Sequence, residues 1–268
     1  MCLFMKSFLK YPGGKSKIVG HINSCLNSGE KLIEPFVGAG NVFINTDFDR
    51  YLLNDINRDV IEVFKYLKKE KDSFIAYCEQ FFSGPFNSED RYYELRDIFN
   101  ELDYSKERAA LFLYLNRHGY NGLCRYNKKG QYNVPFGRYS SPYFPEQEML
   151  FFSSKLKRAE FMCDDFGQAF RRARKGDVIY ADPPYFQLPG KKSFTAYSGK
   201  AFNMSDQVKL ATLSVKARAR GIKVVISNHD VPDSRKIYSD ADIVELKVRR
   251  TISCAERDEA SELLAIYS

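Results

Sequence analysis

Short apolar runs alternate with glycine turns and amphipathic stretches near the start of the chain. Residues 32–36 are predicted to form a buried strand, and the glycine turn at 38–40 then opens a helical pattern. Residues 50–54 predict a second strand, which ends before Asp55. A strand, a tight turn, a helix and a second strand in this order indicate a parallel sheet with crossover helices.

The middle of the chain changes from one pattern to another. Between residues 57 and 116, apolar side chains such as Val60 and Phe64 recur at helical spacing, which predicts helices. From 119 to 139, glycine, asparagine, proline and tyrosine dominate, and residues 128–130 have the composition of a hairpin turn. The pattern therefore predicts a mainly helical segment followed by a β-hairpin.

Strand and helix alternation resumes near residue 159. The order of the elements indicates one α/β sheet that is split in sequence, with residues 1–56 and 141–268 on either side of an insert at 57–140. The later elements predicted are strands at 159–163, 177–181 and 222–226, a helix at 205–220 capped by Gly221, and an antiparallel strand pair at 242–248 and 262–267.

Charge is distributed unevenly along the chain, and the distribution bears on the partner. The 268 residues carry a formal net charge of +7, which is by itself a weak indication of a polyanionic partner. Between Glu107 and Glu146 there is no acidic residue, but there are six lysines or arginines and six tyrosines. Such a segment suits a nucleic-acid surface, and on charge alone an ordinary basic face is an equally good interpretation.

Composition excludes several classes of function. Hydrophobic residues make up 44% of the chain and charged residues 28%, as in globular proteins with a buried core. No apolar run is long enough to cross a bilayer, and the first ten residues lack the features of a signal peptide. We therefore expect a cytoplasmic protein without a membrane partner. Six scattered cysteines without a CxxC pair, and only three histidines, predict no metal site.

The clearest chemical signal is the tetrapeptide Asp182-Pro183-Pro184-Tyr185, which follows an apolar strand. Ligands of parallel sheets bind beyond the carboxyl ends of the strands, so the tetrapeptide lies where a site is expected. An exocyclic amine such as adenine N6 is a poor nucleophile, and it becomes reactive when Asp182 and the Pro183 carbonyl each accept one of its N–H groups. The prolines fix that carbonyl, and Tyr185 offers a face on which a base can stack. A proline-rich turn with a surface aspartate is the simpler alternative, which the aromatic residue and the strand disfavour.

Three further segments have the chemistry of a nucleoside-cofactor site. The glycine turn in residues 34–40 lets the backbone approach a ligand, and Asp55 can accept hydrogen bonds from ribose hydroxyls. Lys15 follows a glycine pair, and together they can hold a carboxylate. Taken singly, each segment has an ordinary explanation: a tight turn, a helix cap and a loop lysine.

The order of these motifs resembles that of one enzyme family. The chain contains FLKYPGGK at 8–15, EPFVGAG at 34–40, DPPY at 182–185, SNHD at 227–230 and KVRRTIS at 247–253. Residues 115–139 read LNRHGYNGLCRYNKKGQYNVPFGRY. Over nearly its whole length, the sequence closely resembles the Dam family of DNA adenine-N6 methyltransferases of bacteria and phages.

The resemblance implies a fold, a cofactor and a substrate. Members of the family have a Rossmann-like methyltransferase sheet with a reversed hairpin at its edge, and they transfer a methyl group from S-adenosylmethionine to adenine N6. Their substrate is double-stranded DNA at GATC sites, with the adenine flipped out. Residues 57–140 then correspond to an inserted target-recognition domain, and residues 1–56 and 141–268 to the catalytic domain. A monomer acting in the bacterial or host cytosol is expected.

The resemblance also assigns individual residues. The positions that match cofactor-contacting ones are Tyr11, Lys15, Glu34, Phe36, Gly38, Gly40, Asp55, Asp165, Phe166 and Asp182. The positions that match DNA-contacting ones are Lys10, Arg96, Arg117, Tyr120, Asn121, Leu123, Arg125, Asn127, Pro135, Arg138 and Tyr139. Among the latter, Arg96 and Arg117 are expected to contact phosphates. Arg125 is expected to bond a guanine edge, Leu123 or Pro135 to touch a thymine methyl group, and Tyr120 to fill the gap left by the flipped adenine or to stack beside it.

Two alternatives stay open at this point. The same tetrapeptide chemistry would serve N4-methylation of cytosine, and a catalytically silent DNA-binding protein would keep the same scaffold. The sequence departs from the family in several places. Tyr11-Pro12 stands where members often have Trp-Ala, and Asn54 and Ala181 differ from common choices beside the two key aspartates. Residues 186–200, which are rich in glycine, serine and lysine, are predicted to form a lid over the flipped base. Residues 254–259, CAERDE, stand where relatives have a basic stretch.

Overall fold

In a computed structural model, seven strands of the described residues form one sheet. The described residues are 4–11, 15, 18–26, 29–186, 202–249 and 259–268. The predicted glycine pair beside Lys15, most of the predicted lid and most of the CAERDE segment lie outside them. The strands are β1 Lys31–Glu34, β2 Arg50–Asn54, β3 Ala159–Met162, β4 Val178–Ala181, β5 Lys223–His229, β6 Asp242–Arg249 and β7 Glu259–Tyr267.

The order of the strands is β3-β2-β1-β4-β5-β7-β6. The first five are parallel, and β7 lies antiparallel between β5 and β6. The predicted α/β fold with a reversed hairpin at one edge is therefore confirmed. Strand β2 has the predicted bounds, while β1 ends at Glu34, because Pro35 lacks the N–H that a continuing ladder needs.

Helices cover both faces of the sheet and fill the insert. Helices α3 to α5 lie between β2 and β3, where the sequence predicts a helical insert. The division into a catalytic and a recognition domain at residues 57 and 140 stays a prediction. The helices are α1 Val19–Leu26, α2 Asn41–Asn45, α3 Arg58–Glu79, α4 Glu89–Glu101, α5 Lys106–His118, α6 Glu146–Leu156, α7 Phe166–Arg172, α8 Met204–Arg218 and α9 Pro232–Ile237.

The sheet buries apolar side chains on both faces, as a parallel sheet must. Leu32 and Leu53 belong to a large core that contains α3, α5 and α6 residues, whereas Ile33 and Leu52 belong to a second core with α7 and α8 residues. Neighbouring strand residues alternate between the two cores because successive side chains of a strand point to opposite faces. The sheet is thereby held rigid between two layers, which fixes the loops at its ends.

After α5 the chain doubles back in a hairpin segment, residues 119–137. Two isolated antiparallel bridges join its arms, Gly119 to Phe136 and Tyr126 to Tyr132. The N–H of Gly130 donates to the carbonyl of Asn127 and closes the tip, where the sequence predicts a turn. The predicted β-hairpin is present as an irregular loop rather than as two continuous strands. Such a loop presents backbone and side chains to solvent without forming a sheet edge.

The glycine turn between β1 and α2 depends on Gly40. Its backbone has φ 71°, in the left-handed region, and an added Cβ would lie 2.8 Å from the Phe152 ring. We predict that Gly40→Ala lowers the free energy of unfolding by about 2–4 kcal/mol, since left-handed strain and overpacking add. Urea denaturation measures this loss. The matched control is Gly84→Ala, whose Cβ would meet nothing within 4 Å, and an equal loss in both variants would contradict the prediction.

Candidate active site and nucleic-acid interface

The parallel strands end at a common edge, where the candidate site lies. Strand β1 is flanked by β2 on one side and β4 on the other, so the strand order reverses between β1 and β4. Ligands of open α/β sheets bind at the carboxyl ends beside such a reversal. The loop at 35–40 follows β1 and the tetrapeptide at 182–185 follows β4. The two strongest sequence motifs are therefore brought together.

An ion pair between a buried lysine and a half-buried aspartate stands at the centre of this edge. The Nζ of Lys15 lies 3.0 Å from Oδ1 of Asp182 and 4.5 Å from the centre of the Tyr185 ring. Burial raises the pKa of Asp182 above its ordinary value, and Lys15 opposes that rise. The carboxylate is thus poorly hydrated but charge-compensated, which strengthens its attraction for an N–H donor.

Buried polar side chains hold the backbone of the tetrapeptide. The side-chain amide of Gln207 donates to the Pro184 carbonyl at 2.9 Å, and Oδ1 of Asn228 accepts from the N–H of Phe186 at 3.0 Å. The Tyr238 hydroxyl donates to Gln207 Oε1 at 2.7 Å and accepts from the Asn228 amide at 3.1 Å. The network restrains the backbone on the carboxyl side of the two prolines, so the turn is rigid before any ligand arrives.

Tyr185 is fixed at its hydroxyl and at its ring. The hydroxyl donates to Oε2 of Glu262 at 3.3 Å, and the His229 ring packs edge-on at 4.8 Å. Burial raises the pKa of Tyr185 well above its ordinary value, so the phenol stays neutral. A neutral, half-buried aromatic ring held in one orientation is suited to stacking against a planar group.

Asp55 closes the loop that follows β1. Its Oδ2 accepts from the N–H of Gly38 at 2.8 Å, and its Oδ1 accepts from the N–H of Asn57 at 2.9 Å. Burial raises the pKa of Asp55 to about 6. Gly38 has φ 48°, and a Cβ there would lie 3.4 Å from the Tyr11 ring. The loop therefore touches Tyr11 and presents a buried carboxylate with acceptor capacity left over.

Glu34, the last residue of β1, carries an unsatisfied atom. Its side chain is buried, and Oε1 has no hydrogen-bond partner among the described residues. Burial, and next the charge of Asp182, raise the pKa of Glu34 well above its ordinary value. An unpaired buried polar atom costs free energy and is uncommon in native proteins. Its presence here indicates a site that a polar ligand completes.

Three phenylalanines form an aromatic wall on the β3 side of this edge. The ring of Phe36 lies 5.3 Å from that of Phe166 and 5.6 Å from that of Phe202. The Nζ of Lys209 bonds to Oδ1 of Asp165 at 2.8 Å and lies 4.6 Å from the Phe166 ring centre. Phe202 is absent from the sequence-based set of site residues, since no motif surrounds it. The wall suits the face of a planar aromatic ring such as a nucleobase.

Lys10 joins this edge to the helical insert. Its N–H donates to Oδ1 of Asn116 at 2.8 Å, and the Asn116 amide donates to the Lys10 carbonyl at 2.7 Å. The Nζ of Lys10 lies 4.3 Å from the Tyr139 ring centre and donates to the Arg117 carbonyl at 3.3 Å. Burial and the nearby Arg117 lower the pKa of Lys10. The contacts bring Lys10 and Tyr139, which are far apart in sequence, to one place.

Within the hairpin segment, Arg125 is held in a fixed plane. Its Nε donates to Oδ1 of Asn133 at 2.6 Å, and one Nη donates to the Asn133 carbonyl at 2.7 Å. Asn127 forms the tip, since its Oδ1 accepts from the N–H groups of Lys129 and Gln131 at 2.9 and 3.0 Å. Arg125 is thus oriented by the hairpin, and the Asn127 side chain is committed to the turn.

The hairpin segment and Arg138, which directly follows it, expose several of the side chains expected to meet DNA. Tyr120 is 51% exposed, Asn121, Pro135 and Arg138 are exposed, and Leu123 is half-buried. Asn121 and Arg138 have φ of 52° and 53°, a left-handed conformation that only a few per cent of non-glycine residues adopt. Backbone strain of this kind is often found at functional sites.

Comparison with known proteins decides the family. The model of the family described as "D12 class N6 adenine-specific DNA methyltransferase" matches residues 11–252. The chain belongs to this family. The match spans both the edge of the sheet described above and the helical insert, and it includes Lys15, Asp55, residues 182–185 and the hairpin segment.

Curated relatives of this D12-class chain support the same assignment. A DNA adenine methylase of Vibrio cholerae is 47% identical over 266 residues, covering 98% of this chain and 96% of that one. DNA adenine methylases of Serratia marcescens and Escherichia coli K12 are 46% and 45% identical, cover 98% of this chain, and are themselves covered to 98% and 95%. The chain is accordingly an adenine-specific DNA methyltransferase, which excludes the cytosine and silent-binder alternatives.

Two arginines of this methyltransferase that were expected to contact phosphate are bonded to main-chain carbonyls. Arg117 is 9% exposed, and its Nε donates to the Tyr143 carbonyl at 3.1 Å. One Nη of Arg96 donates to the Val134 carbonyl at 3.4 Å. Both therefore support the loops around the hairpin segment, and a phosphate contact by either one stays a prediction.

A buried polar network connects the methyltransferase's Asp55 loop to the hairpin segment. Asn57, whose N–H bonds Asp55, donates its side-chain amide to the Cys124 Sγ at 3.3 Å. The Tyr126 hydroxyl donates to Oδ2 of Asp59 at 2.7 Å. Cys124 and Tyr126 are the neighbours of the predicted guanine-reading arginine, so its backbone is anchored from both sides. Sequence patterns do not indicate these links, because the paired residues are 67 positions apart.

The described residues of this D12-class chain contain neither a cluster of metal-ligating side chains nor a membrane-spanning helix. No group of three or more histidine, cysteine, aspartate or glutamate side chains there is arranged to hold a metal ion. None of the helices in the described ranges combines the length and apolar character needed to cross a bilayer.

Proposed function

We propose that this methyltransferase transfers a methyl group from S-adenosylmethionine to adenine N6 in GATC sites of double-stranded DNA, with the target adenine flipped out of the helix. The observation that carries the proposal is the Lys15–Asp182 pair beside a braced diproline turn at the strand-order reversal. Membership of the D12 class establishes that the methylated group is N6 of adenine and that the substrate is DNA. The donor, the recognition sequence and the flipping rest on the chemistry of the residues and on the family resemblance.

The residues of the edge fit S-adenosylmethionine. Asp55 would accept bonds from the ribose hydroxyls, the wall of Phe36, Phe166 and Phe202 would hold the adenine ring, and Lys15 is placed for the carboxylate. The unsatisfied Oε1 of Glu34 lies at the same edge and supports a polar ligand there. When bound, the donor supplies a methyl group on a positively charged sulfur, which is the electrophile of the reaction.

The chain's own residues activate the adenine amine. Asp182 and the Pro183 carbonyl would each accept one N–H of N6, which frees the nitrogen lone pair and favours the positive charge that develops on it. Tyr185 would stack on the base, and its ring is already held by Glu262 and His229. These groups align and stabilise the reacting amine, so neither a covalent nucleophile of the protein nor a metal is needed in this scheme.

The hairpin segment would read the sequence around the adenine. Arg125, fixed against Asn133, would bond the O6 and N7 edge of a guanine. Leu123 or Pro135 would contact a thymine methyl group, and the exposed Tyr120 would fill the gap left by the flipped base. Lys10 and Tyr139, which lie together between the insert and the sheet, are placed for contacts on the same side.

The proposed function is tested with a duplex that contains one GATC site. The purified protein is incubated with the duplex and S-adenosylmethionine, and the DNA is then treated with a nuclease that cuts only unmethylated GATC. We expect protection that requires both protein and donor, together with N6-methyladenine in the nucleoside digest. A duplex carrying GTAC in place of GATC should acquire no methyl group. Methylation of both duplexes at equal rates would overturn the assignment of GATC as the recognition sequence. Methylation of neither duplex would overturn the assignment of S-adenosylmethionine as the methyl donor.

Asp55 gives a pH-dependent prediction for donor binding. The pKa of Asp55 is about 6, above its ordinary value, so the carboxyl group stays protonated at lower pH. The charged carboxylate, which would accept hydrogen bonds from the ribose hydroxyls, forms only as the pH rises through that value. Affinity for S-adenosylhomocysteine, measured by calorimetry, should therefore increase up to about pH 6 and level off above it. Asp55→Asn should weaken binding by roughly 10–150-fold, the equivalent of about 1.5–3 kcal/mol for a charged hydrogen bond. The affinity of the Asp55→Asn variant should also no longer depend on pH in this range. An affinity of the unmodified protein that does not change with pH would contradict the assignment of Asp55 to the ribose hydroxyls.

A further inference from the structure

A second basic feature lies at the opposite edge of the sheet from the candidate site. It is a cleft of about 750 Å³, bounded by the amino ends of β1 and β2 and by the segment that follows α7. Seven of its lining residues are lysine or arginine and three are glutamate or aspartate, an excess of four positive charges. The mechanism described above uses none of these residues.

Two of the three acids in the cleft are already paired. Glu30 lies 3.2 Å from Arg50, and Asp177 lies 3.0 Å from Lys31. The net charge therefore comes from a different part of the lining, the stretch after α7. Four exposed cations stand there within five positions: Arg171, Arg172, Arg174 and Lys175. Among the residues with described positions, no carboxylate lies within ion-pair distance of these four side chains.

Helix capping explains this basic stretch only in part. Cations are favourable at the carboxyl end of a helix, and Arg171 and Arg172 occupy the last turn of α7. That role is already filled by Arg220, whose guanidinium donates to the carbonyls of Phe170 and Ala173. Arg174 and Lys175 lie beyond the helix. The clustering of four cations in a concave site thus exceeds what the helix end requires.

The backbone of the stretch is fixed without its charged side chains. The N–H of Arg174 donates to Oδ2 of Asp177 at 2.8 Å, and Gly176 makes the turn into β4 with φ 91°. The same Asp177 carboxylate binds Lys31, so strand, turn and cleft wall are tied together. The four cations therefore stand on a fixed backbone, so binding an anion would order their side chains without having to order the main chain.

We propose that this cleft binds the phosphate backbone of a second DNA duplex, distinct from the one being methylated. The chain is a DNA methyltransferase, and four exposed cations clustered in one cleft with an excess of positive charge suit a polyanion such as a DNA backbone. The cleft lines the amino ends of strands whose carboxyl ends carry the candidate site, so one straight duplex cannot lie in both. The enzyme would therefore hold two DNA segments at once and pass from one to the other.

A bridging experiment tests this proposal in the absence of any methyl donor. The protein is bound at equimolar ratio to an immobilised short duplex containing GATC, and retention of a second, labelled duplex without GATC is measured over a series of salt concentrations. The test variant carries Arg171→Gln, Arg172→Gln, Arg174→Gln and Lys175→Gln. The control variant carries the same charge change at exposed lysines elsewhere, Lys69→Gln, Lys71→Gln, Lys157→Gln and Lys216→Gln.

We expect the unmodified protein and the control to retain the second duplex and the test variant to lose it. The slope of log affinity against log salt for the second duplex should fall by about 3–4 in the test variant, since each neutralised phosphate contributes roughly 0.9. Methylation of a short single duplex should be unchanged, which shows that the variant is folded. Equal retention by the test and control variants would overturn the proposal. Binding of inorganic tripolyphosphate without retention of a second duplex would also overturn it, and would mark the cleft as a small-anion site.

Discussion

Replacing Asp182 with alanine is expected to slow methyl transfer by at least about 10²–10³-fold, the usual loss when one preorganised stabilising group is removed. The carboxylate lies at the end of β4, is poorly hydrated, and faces Lys15 at 3.0 Å. Without it, N6 keeps only the Pro183 carbonyl as an acceptor, and the buried Lys15 loses the nearby negative charge of Asp182. Because both effects oppose charge development on N6, the loss should appear in the rate of the chemical step.

Single-turnover kinetics with labelled donor separate that step from binding. DNA affinity of the Asp182→Ala variant should stay within a few-fold of the unmodified protein, since the hairpin segment and Lys10 are untouched. Asp72→Ala is a suitable control, because Asp72 is exposed and lies in the helical insert, away from the sheet edge. If Asp182→Ala abolished DNA binding together with activity, Asp182 would have a structural role and the catalytic assignment would fall.

Replacing Arg125 with alanine should reduce the preference for guanine by about 1–3 kcal/mol, the worth of one bidentate base contact. That corresponds to roughly 5–150-fold in the ratio of kcat/KM between the preferred site and a site with that guanine changed. The prediction follows from the geometry, since Asn133 binds one edge of the guanidinium and aligns it on the hairpin segment. Methylation of a set of duplexes, each with one base of GATC changed, measures the ratio.

A lysine of the same hairpin provides the control for Arg125. Lys128 is exposed at the tip and has no predicted base contact. Lys128→Ala should weaken binding to all sequences about equally and reduce its salt dependence, as a phosphate contact does. If Arg125→Ala also left the preference among sequences unchanged, Arg125 would be a backbone contact and another residue would read the guanine.

Most of the sheet could be predicted from local sequence, because its strands are short apolar runs bounded by turn residues. Residues 50–54 became β2 without change, and the two last strands pair antiparallel as expected. Helices α6, α7 and α9 were not predicted. Helix α7 has only seven residues, and its start depends on the Asp165 side chain, which accepts from the N–H of Gly167. So short a segment carries little periodic signal.

The central site residues could be predicted from motifs, but the residues that hold them could not. The tetrapeptide and the glycine loop stand at the ends of β4 and β1, as their positions after apolar runs indicated. Their supports lie far apart in sequence: Gln207 is in α8, Asn228 is in β5, and Tyr238 directly follows α9. They meet only because β5 lies beside β4. Phe202 likewise meets Phe36 and Phe166 only in the folded chain, since the three residues are far apart in sequence. Contacts of this kind follow from the strand order, which local patterns do not specify.

The account depends above all on the adenine amine meeting Asp182 and the Pro183 carbonyl beside the methyl donor. A crystal structure with S-adenosylhomocysteine and a GATC duplex tests this most directly. The account predicts N6 of the flipped adenine within hydrogen-bond distance of both acceptors, and the donor sulfur on the side of N6 that faces Asp55 and Phe36. An adenine that remained stacked, or that lay away from residues 182–185, would contradict it.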